Sequence, residues 1–444
     1  MYARSQALAR AKALHFEGDE LRSNGTHEYK RTVLLVSIDG LRADYLDRGL
    51  TPHLLDIAKK GLRAKYMKPV FPTLTFPNHW ALMTGLYAES HGIVANNFWD
   101  AATKTEFHYN REAICWKPHW WLGEPMWETA GKAGRISANL MWPGPPVTTS
   151  GAKPTYFVPW RDHVPLQEKL DQLFSWIDLP LEKRPQLLLA YEPSLDQAGH
   201  ATGPFSAHVN ATLKQVDKFA KDLHTGLVDR NLTEIVDVVF VSDHGMTDTS
   251  HPELVYMDDI LGADGMAEIT HVDGWPSMGL HFKPTTNMTD YLNVLLKASA
   301  ASSGEKFEVF TPDTMPERYH FAKNPRIAPI YIVPKMGYVL TTRKDGDVGL
   351  TKGNHGYDNI YPSMHAMFVA HGPFSAIAKA VQAQNTDRRS LWNANEGWHS
   401  TSDDTYVMNG FENVQIYGLV MKLLGLEEYA ASTNGTAGFW DKYF

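Results

Sequence analysis

Cysteine is nearly absent from this sequence, since Cys115 is the only one among 444 residues. A single thiol cannot form an intrachain disulfide, and it cannot build a zinc site that depends on several thiolates. Taken alone, this scarcity favours a reducing compartment, where disulfides are rare.

Long apolar runs are also missing. The most apolar stretches, TVLLVSI and YGLVMKLLGL, are far shorter than the roughly 20 residues that a membrane-spanning helix needs. The sequence therefore predicts no transmembrane segment in this chain. The first 30 residues lack the apolar stretch of a signal peptide, so we interpret residues 1–30 as a leader or mobile extension.

Five Asn-x-Ser/Thr sequons weigh against a reducing compartment. Sequons arise by chance, yet five in a chain of this length favour a secreted, lumenal or cell-surface protein, including one cut from a membrane-anchored precursor. The candidate glycosylation sites are Asn24, Asn210, Asn231, Asn287 and Asn434.

An excess of positive charge is absent as well. Lys and Arg number 42 against 50 Asp and Glu, which gives a net charge of -8. This balance gives no support for binding duplex nucleic acid, which requires a basic surface. A mildly acidic protein can still bind phosphate through metal ions.

Three apolar runs rich in β-branched residues predict buried strands that end in polar residues: TVLLVSIDG, QLLLAY and VDVVFVSDHG. The segment FSAHVNATLKQVDKFAKDLHTGL, between the last two runs, has apolar residues at helical spacing. TPHLLDIAKKG predicts a further helix with Thr51 as its cap. Strand, helix, strand in this order predicts an α/β fold with a mostly parallel central sheet and helices on both faces. PIYIVPKMGYVL and MHAMFVA predict later strands, and IYGLVMKLLGL predicts a closing helix.

Acidic and imidazole side chains cluster where these strands end. Ligands of open α/β sheets lie outside the carboxyl ends of the strands, and carboxylate with neutral imidazole suits two first-row metal ions, most naturally zinc. The spacing of Asp196 and His200 would put both on one side of a helical turn. Each residue alone is more often a cap or a loop residue, so the prediction depends on their convergence. The candidates are Asp39, Asp196, His200, Asp243, His244 and His355.

The stretch FPTLTFPNH, residues 71–79, places two threonines between two prolines. Its simplest interpretation is a turn whose threonines cap the next helix. The alternative is that Thr75 is a nucleophile, because a metal ion would lower the pKa of its hydroxyl.

The motifs around these residues resemble one known family. TFPN, MTGLYAESHGIVANNFWD, DQAGH, SDHGM and GNHGYDN are similar, in the same order, to motifs of the nucleotide pyrophosphatase/phosphodiesterase family of the alkaline phosphatase superfamily. The short length is similar to its fungal branch. The resemblance implies an alkaline-phosphatase-like fold and hydrolysis of phosphodiester or pyrophosphate bonds in nucleotides, releasing nucleoside 5′-monophosphates through a phospho-threonine intermediate.

The resemblance also implies a role for each residue. Asp39, Thr75, Asp243 and His244 would hold one Zn²⁺, and Asp196, His200 and His355 would hold the other. Asn96 and the Phe76 backbone N–H would stabilise the transition-state oxygen. Phe76 and Trp160 lie where the family places aromatic rings around a nucleotide base, although such residues are more often core residues.

Two rival functions stay open at this point. The same core can serve a phospholipid or choline-phosphate phosphodiesterase, and the chain can also be a binding protein that has lost its chemistry. Leu74 stands where several vertebrate members have a lysine before the nucleophile, which weakens the case for tight binding of terminal phosphates.

Length alone suggests about three domains. A metal site built from residues 39 to 355 cannot be divided among independent folding units. We therefore predict one catalytic domain over residues 31–444.

Overall fold

The predicted buried strands lie side by side in a sheet that contains nine strands in the part of the chain that the structure describes. This computed structural model describes residues 2–346, 350–386, 398–399 and 406–444. The strands are β1 (Arg22–Ser23), β2 (Glu28–Tyr29), β3 (Thr32–Ile38), β4 (Leu62–Ala64), β5 (Met67–Lys68), β6 (Asn97–Asp100), β7 (Thr105–His108), β8 (Ser137–Leu140), β9 (Tyr156–Val158), β10 (Leu187–Glu192), β11 (Val236–Val241), β12 (Thr247–Asp248), β13 (Glu253–Tyr256), β14 (Ile269–Asp273), β15 (Met278–Phe282), β16 (Phe307–Phe310), β17 (Ile330–Pro334), β18 (Tyr338–Thr341), β19 (Gly353–Asn354), β20 (Phe368–His371), β21 (Trp398–His399), β22 (Tyr406–Met408) and β23 (Phe411–Glu412).

Helices cover this sheet and connect its strands. They are α1 (Tyr2–Lys12), α2 (Pro52–Lys60), α3 (Thr75–Thr84), α4 (Ala88–His91), α5 (Glu112–Cys115), α6 (Met126–Lys132), α7 (Leu166–Ile177), α8 (Ser194–Thr202), α9 (Ala207–Asp229), α10 (Met257–Glu268), α11 (Met288–Ala301), α12 (Pro373–Thr386) and α13 (Gln415–Leu424). The predicted helices after Thr51, between β10 and β11, and near the C-terminus are thus α2, α9 and α13.

The register of the central strands brings distant segments to one edge. The order is β21-β22-β4-β20-β11-β3-β10-β8-β9. β3 pairs in parallel with β10 on one side and β11 on the other, with Ile38 opposite Glu192 and Ser37 opposite Val241. β20 runs antiparallel to β11. The predicted α/β fold with a mostly parallel sheet and helices on its faces is confirmed.

The two faces of β3 pack in two different apolar cores. Val33 and Leu35 pack in a core that includes residues of α3, α6 and α13, whereas Leu34 and Val36 pack in one that includes residues of α2, α7 and α9. All four side chains are fully buried, and each such burial stabilises the fold by about 1.5–3 kcal/mol. A strand apolar on both faces is typical of a sheet covered by helices on both sides.

A smaller antiparallel sheet was not foreseen. β14, β15, β17 and β16 form it in that order, and its own core includes Leu280, Leu295 and Ile332. The segment PIYIVPKMGYVL contributes no strand to the central sheet. Its strand β17 belongs to the smaller sheet, and its strand β18 pairs with β13. An apolar pattern predicts that a segment is a strand, but not which sheet the strand joins.

The first 30 residues contain a helix and a segment attached to the body of the protein. Arg31 donates a hydrogen bond to the main-chain oxygen of Phe16, and Asn24 donates to that of Arg230 at 2.8 Å. The assignment of residues 1–30 as an extension, and of 31–444 as one domain, stays a prediction. Among the described residues, no helix is both long and apolar enough to span a membrane.

The start of α2 differs from its prediction. Thr51 precedes the helix, but its hydroxyl donates to the main-chain oxygen of Leu46 at 3.2 Å and makes no cap hydrogen bond. The Asp217 carboxylate on α9 caps α2 instead, accepting the N–H groups of His53 at 3.1 Å and Leu54 at 2.7 Å. A carboxylate 163 residues from Leu54 in the sequence thus provides the cap that the local pattern predicts for Thr51.

We expect Asp217→Ala to lower the free energy of unfolding by about 1–2 kcal/mol, because two helix N–H groups lose their acceptor. Chemical denaturation measures this difference. Asp222→Ala on the same helix removes a carboxylate that pairs with Lys218 at the surface, and we expect a loss of about 0.5 kcal/mol or less. Equal effects of the two substitutions would contradict the assigned cap.

Candidate active site and metal centre

The candidate ligands meet at the carboxyl ends of β3, β10 and β11. Asp39 follows β3 directly, Asp196 lies in the first turn of α8 just after β10, and Asp243 follows β11. The Gly40 N–H donates to Asp243 Oδ1 at 3.2 Å and so links two of these strand ends. All three aspartates are buried. The parallel register thus produces the convergence that the sequence predicted.

Two overlapping groups of side chains place their donor atoms within 4.8 Å of one another: Asp39, Asp243 and His244, and Asp196, His244 and His355. His200 Nε2 lies 3.1 Å from His355 Nε2 and 3.4 Å from Asp196 Oδ2. The imidazole rings of His244 and His355 stack with 3.5 Å between their centroids. His244 therefore adjoins both predicted ligand sets, and the division of ligands between two ions stays a prediction.

Main-chain oxygens fix the tautomer of each histidine. Nδ1 of His244, His200 and His355 lies 2.8, 2.9 and 2.8 Å from the carbonyl oxygens of Gly245, Gly353 and Thr73. Because a carbonyl only accepts, we assign the ring proton to each Nδ1. The Nε2 lone pairs then point to the carboxylates and to each other. This orientation of metal-binding histidines by outer hydrogen bonds is common in metal sites.

The carboxylate oxygens that face these Nε2 atoms have no hydrogen-bond donor in the described ranges of the chain. Asp39 Oδ1, Asp196 Oδ1 and Asp243 Oδ2 are buried and accept no hydrogen bond within the described part of the chain. Imidazole Nε2 atoms lie 3.3, 3.4 and 2.9 Å from these three oxygens, but in the assigned tautomers they carry no proton to donate. Buried acceptors facing one another are unfavourable unless a cation lies between them. The residues present therefore fit a bound metal.

Electrostatic effects within the cluster oppose one another. Burial and the neighbouring Asp243 raise the pKa of Asp39 well above its usual value, and burial also raises that of Asp196. Burial alone would raise the pKa of Asp243, but the positive charge that His244 and His79 carry when protonated lowers it. Against the effect of burial, Asp243 in turn raises the pKa of His244. The pKa of His355 falls because of burial and the adjacent His244. Shifts of this kind, caused by burial and close charges in a cleft, are typical of functional sites.

Thr75 is the first residue of α3 and lies beside this cluster. Its Oγ1 is 3.2 Å from His244 Nε2. The preceding turn is held from behind, because Thr73 Oγ1 donates to Tyr357 O at 2.9 Å and accepts from Gly356 N at 2.9 Å. Neither threonine caps α3, whose N-cap residue is Leu74. The helix-capping interpretation of FPTLTFPNH is therefore wrong.

Asn96 approaches the same turn. Its Oδ1 accepts the Phe76 backbone N–H at 2.9 Å. Because a backbone N–H only donates, the Asn96 side chain must present its oxygen to Phe76 and its Nδ2 elsewhere. The two groups predicted to act together on one oxygen are thus bonded to each other here.

An open cavity of about 940 Å³ lies over the cluster. Phe76 and Trp160 both line it, and Trp160 is 46% exposed. Among the described residues lining it there is no lysine or arginine, while Asp39, Glu112 and Asp196 are acidic. A phosphate group entering this cavity would meet net negative charge unless cations were bound.

Several residues of the site were missed in the sequence. His79 Nδ1 lies 3.4 Å from Asp243 Oδ2, and the Tyr191 hydroxyl donates to Asp39. Tyr109 lines the cavity, 5.2 Å from the Phe76 ring centroid. His79 has a usable signal, because it lies four residues after Thr75, a spacing that puts two side chains on one side of a helix. Tyr191 lies at the end of the predicted strand QLLLAY, where nothing distinguishes it from a core residue, and Tyr109 stands in no recognisable pattern.

Comparison with known proteins gives a consistent result. The family model described as type I phosphodiesterase/nucleotide pyrophosphatase matches residues 33–358. An uncharacterized pyrophosphatase/phosphodiesterase of Schizosaccharomyces pombe is 37% identical over 422 residues, which cover 93% of this chain and 80% of that relative. Ectonucleotide pyrophosphatase/phosphodiesterase family member 3 of Mus musculus is 33% identical, with 91% of this chain and 43% of its own length covered.

A solved structure is also similar. It is murine ectonucleotide pyrophosphatase/phosphodiesterase 5, as an inactive threonine-to-alanine variant in complex with AMP, with a TM-score of 0.78 and 29% identity over 93% of this chain and 98% of that chain. The chain belongs to the type I phosphodiesterase/nucleotide pyrophosphatase family, has its alkaline-phosphatase-like fold, and is an enzyme of that family. It spans less than half the length of the mouse relative.

We expect Zn²⁺ to raise the melting temperature of metal-stripped protein, because it stabilises the folded state by about 2.7 kcal/mol at a concentration 100 times its dissociation constant. Calorimetry with and without zinc measures the shift. Asp243→Asn should keep the shape of the site and lose most of the zinc-dependent increase. The wild-type protein melting at one temperature with and without zinc would contradict the metal centre.

Proposed function

We propose that this enzyme hydrolyses phosphodiester or pyrophosphate bonds in nucleotides and releases nucleoside 5′-monophosphates. The reaction uses two Zn²⁺ ions and passes through a phospho-threonine intermediate on Thr75. The observation that carries the proposal is the convergence of three imidazole lone pairs and three buried carboxylates beside the Thr75 hydroxyl.

The residues that would hold the ions are those that the resemblance implies. Asp39, Thr75, Asp243 and His244 would hold one ion, and Asp196, His200 and His355 would hold the other. Bound zinc would place positive charge beside the phosphate and would lower the pKa of the threonine hydroxyl. This is the charge that the acidic cavity lining lacks.

Two side chains of the protein, Thr75 and Asn96, act directly on the substrate phosphate. Thr75 Oγ1 gives up its proton to solvent and attacks phosphorus in line. An Oγ–P bond forms while the bond from phosphorus to the leaving oxygen breaks, and the leaving group departs with that oxygen. Water then attacks the same phosphorus; its oxygen stays on the released nucleoside 5′-monophosphate, and Thr75 Oγ1 regains a proton. Asn96 Nδ2 donates to a phosphate oxygen, and the Phe76 N–H keeps the Asn96 amide in the required orientation. A donor of this kind contributes roughly 3 kcal/mol to the transition state.

The aromatic lining of the cavity supports a nucleotide as the substrate. Phe76 and Trp160 offer faces for stacking a base, and such stacking is worth about 1–3 kcal/mol per base. The AMP bound to the murine relative supports the same substrate class.

A phospholipid or choline-phosphate diester is the second candidate substrate. A neighbouring cavity of about 350 Å³ shares Val272 and Trp275 with the first. Its lining is largely aliphatic and includes Met257, Met278 and Leu280. An apolar chain on the leaving group would fit in this cavity. This observation supports a lipid diester as the second candidate, after a nucleotide.

The sequons support a secreted, lumenal or cell-surface location for the protein. Asn231, Asn287 and Asn434 are exposed, while Asn24 and Asn210 are half-buried. We propose glycans at the three exposed sites first.

We expect Thr75→Ala to lower turnover by at least about 10³-fold, because the variant lacks the attacking oxygen. Steady-state hydrolysis of a p-nitrophenyl nucleotide ester measures the loss. Thr75→Ser keeps a hydroxyl and should retain more activity, and only the wild-type enzyme and the Thr75→Ser variant should yield a phosphorylated residue after an acid quench. Near-normal turnover of Thr75→Ala would contradict the role of Thr75 as nucleophile.

The role of Trp160 separates the two substrate classes. We expect Trp160→Ala to raise the apparent Michaelis constant for a dinucleotide about 10-fold and that for bis(p-nitrophenyl) phosphate much less, because a nucleobase stacks on the indole over a larger area than a nitrophenyl ring does. Tyr429→Ala removes an exposed aromatic residue outside the cavity lining and should change neither. Equal effects of Trp160→Ala on both substrates, with faster turnover of a lysophospholipid than of the dinucleotide, would favour the lipid reaction.

A further inference from the structure

A buried ion pair lies directly behind the candidate metal ligands. Lys169 on α7 and Glu192 at the end of β10 have side chains that are 2% and 4% exposed, with 2.6 Å between Lys169 Nζ and Glu192 Oε2. Lys169 Nζ also donates to the main-chain oxygen of Tyr191 at 2.9 Å. Charged side chains are rarely buried this completely without a specific partner.

Glu192 connects this pair to two of the strand ends that carry candidate ligands. Its Oε1 accepts the N–H of Ser194 at 2.9 Å, and Ser194 begins α8, which carries Asp196 and His200. Its main-chain oxygen accepts the N–H of Asp39 at 2.9 Å. Pro193, which precedes α8, provides no side-chain cap. One residue therefore ties the start of α8 to the end of β3.

Lys169 also balances the charge of Glu192. Asp39, Asp196 and Asp243 already place three buried carboxylates near this turn, so an unpaired Glu192 would add a further negative charge in the protein interior. An unpaired buried charge is strongly unfavourable, so either the turn would move toward solvent or the Glu192 carboxylate would take up a proton. The ammonium group of Lys169 pairs with this carboxylate, so that Glu192 can stay buried and charged.

We propose that Lys169 and Glu192 are positioning residues for the metal centre. Their ion pair fixes the strand-to-helix turn between β10 and α8, and so sets the separation between Asp39 on one side and Asp196 and His200 on the other. The affinity of the site for a divalent transition metal such as zinc depends on this separation. The inference rests on the proposed metal centre.

The test is zinc affinity, measured by chelator competition on the purified holoenzyme. Lys169→Met keeps the length of the side chain and removes the charge, and we expect the zinc dissociation constant to rise about 10- to 100-fold, the usual effect of losing an outer-shell partner. Turnover should fall at limiting zinc and recover when free zinc is raised, with the Michaelis constant for a nucleotide nearly unchanged. Glu192→Gln keeps an acceptor for Ser194 and should weaken zinc binding less. The double variant, which removes both charges, should bind zinc more tightly than Lys169→Met.

Two controls separate positioning from general stability. Glu168→Gln changes an exposed neighbour on α7 and should alter nothing. Asp217→Asn changes another buried carboxylate that accepts helix N–H groups and should lower the melting temperature without altering zinc affinity. The inference is overturned if Lys169→Met and Glu192→Gln behave like Asp217→Asn, with lower melting temperatures and wild-type zinc affinity. Wild-type protein that binds no zinc would instead refute the proposed metal centre itself.

Discussion

The structure depends on buried carboxylates and imidazole lone pairs that are held against one another where the central strands end. Asp39, Asp196 and Asp243 each keep an oxygen without a donor among the described residues. The carbonyl oxygens of Gly245, Gly353 and Thr73 turn the Nε2 atoms of three histidines toward them. Acceptor atoms that face one another with no donor between them, as these three oxygens and the Nε2 atoms do, repel one another in a medium of low polarity. The rest of the fold must therefore hold these acceptors together, and their arrangement fits a bound cation.

The parallel register of β3, β10 and β11 provides that support. These strands are apolar on both faces and buried in two cores, so their ends cannot separate without exposing a large apolar area. Residues more than 150 positions apart, such as Asp39 and Tyr191, become hydrogen-bond partners at this edge. The ends of the strands set the spacing of the ligands, because Asp39 and Asp243 follow strands and Asp196 lies at the start of the helix after β10. Much of the cavity lining, such as Asn110, Trp142 and Trp160, lies instead in segments outside the strands and helices. This division is typical of α/β enzymes, whose sheets fix the reacting groups and whose loops set the substrate.

Much of the fold and the cluster follows from local patterns in the sequence. The apolar runs before Asp39 and Asp243 predict their strands, and the four-residue spacing of Asp196 and His200 predicts their shared helix face. Other features depend on contacts between distant segments. Thr51 is a residue type that commonly caps helices, yet the carboxylate of Asp217 caps α2 because α9 packs against α2. The pairing of Asn96 with the Phe76 N–H and the position of His244 between both ligand groups depend on how loops return to the sheet. The periodicity of a single sequence does not predict these contacts between distant segments.

The most direct test of this account is X-ray diffraction from crystals of the active enzyme, recorded on both sides of the zinc absorption edge. The account predicts two anomalous peaks, one among Asp39, Asp243 and His244 and one among Asp196, His200 and His355, with Thr75 Oγ1 adjacent to the first. Fully active crystals with no transition-metal peak among these residues would contradict it.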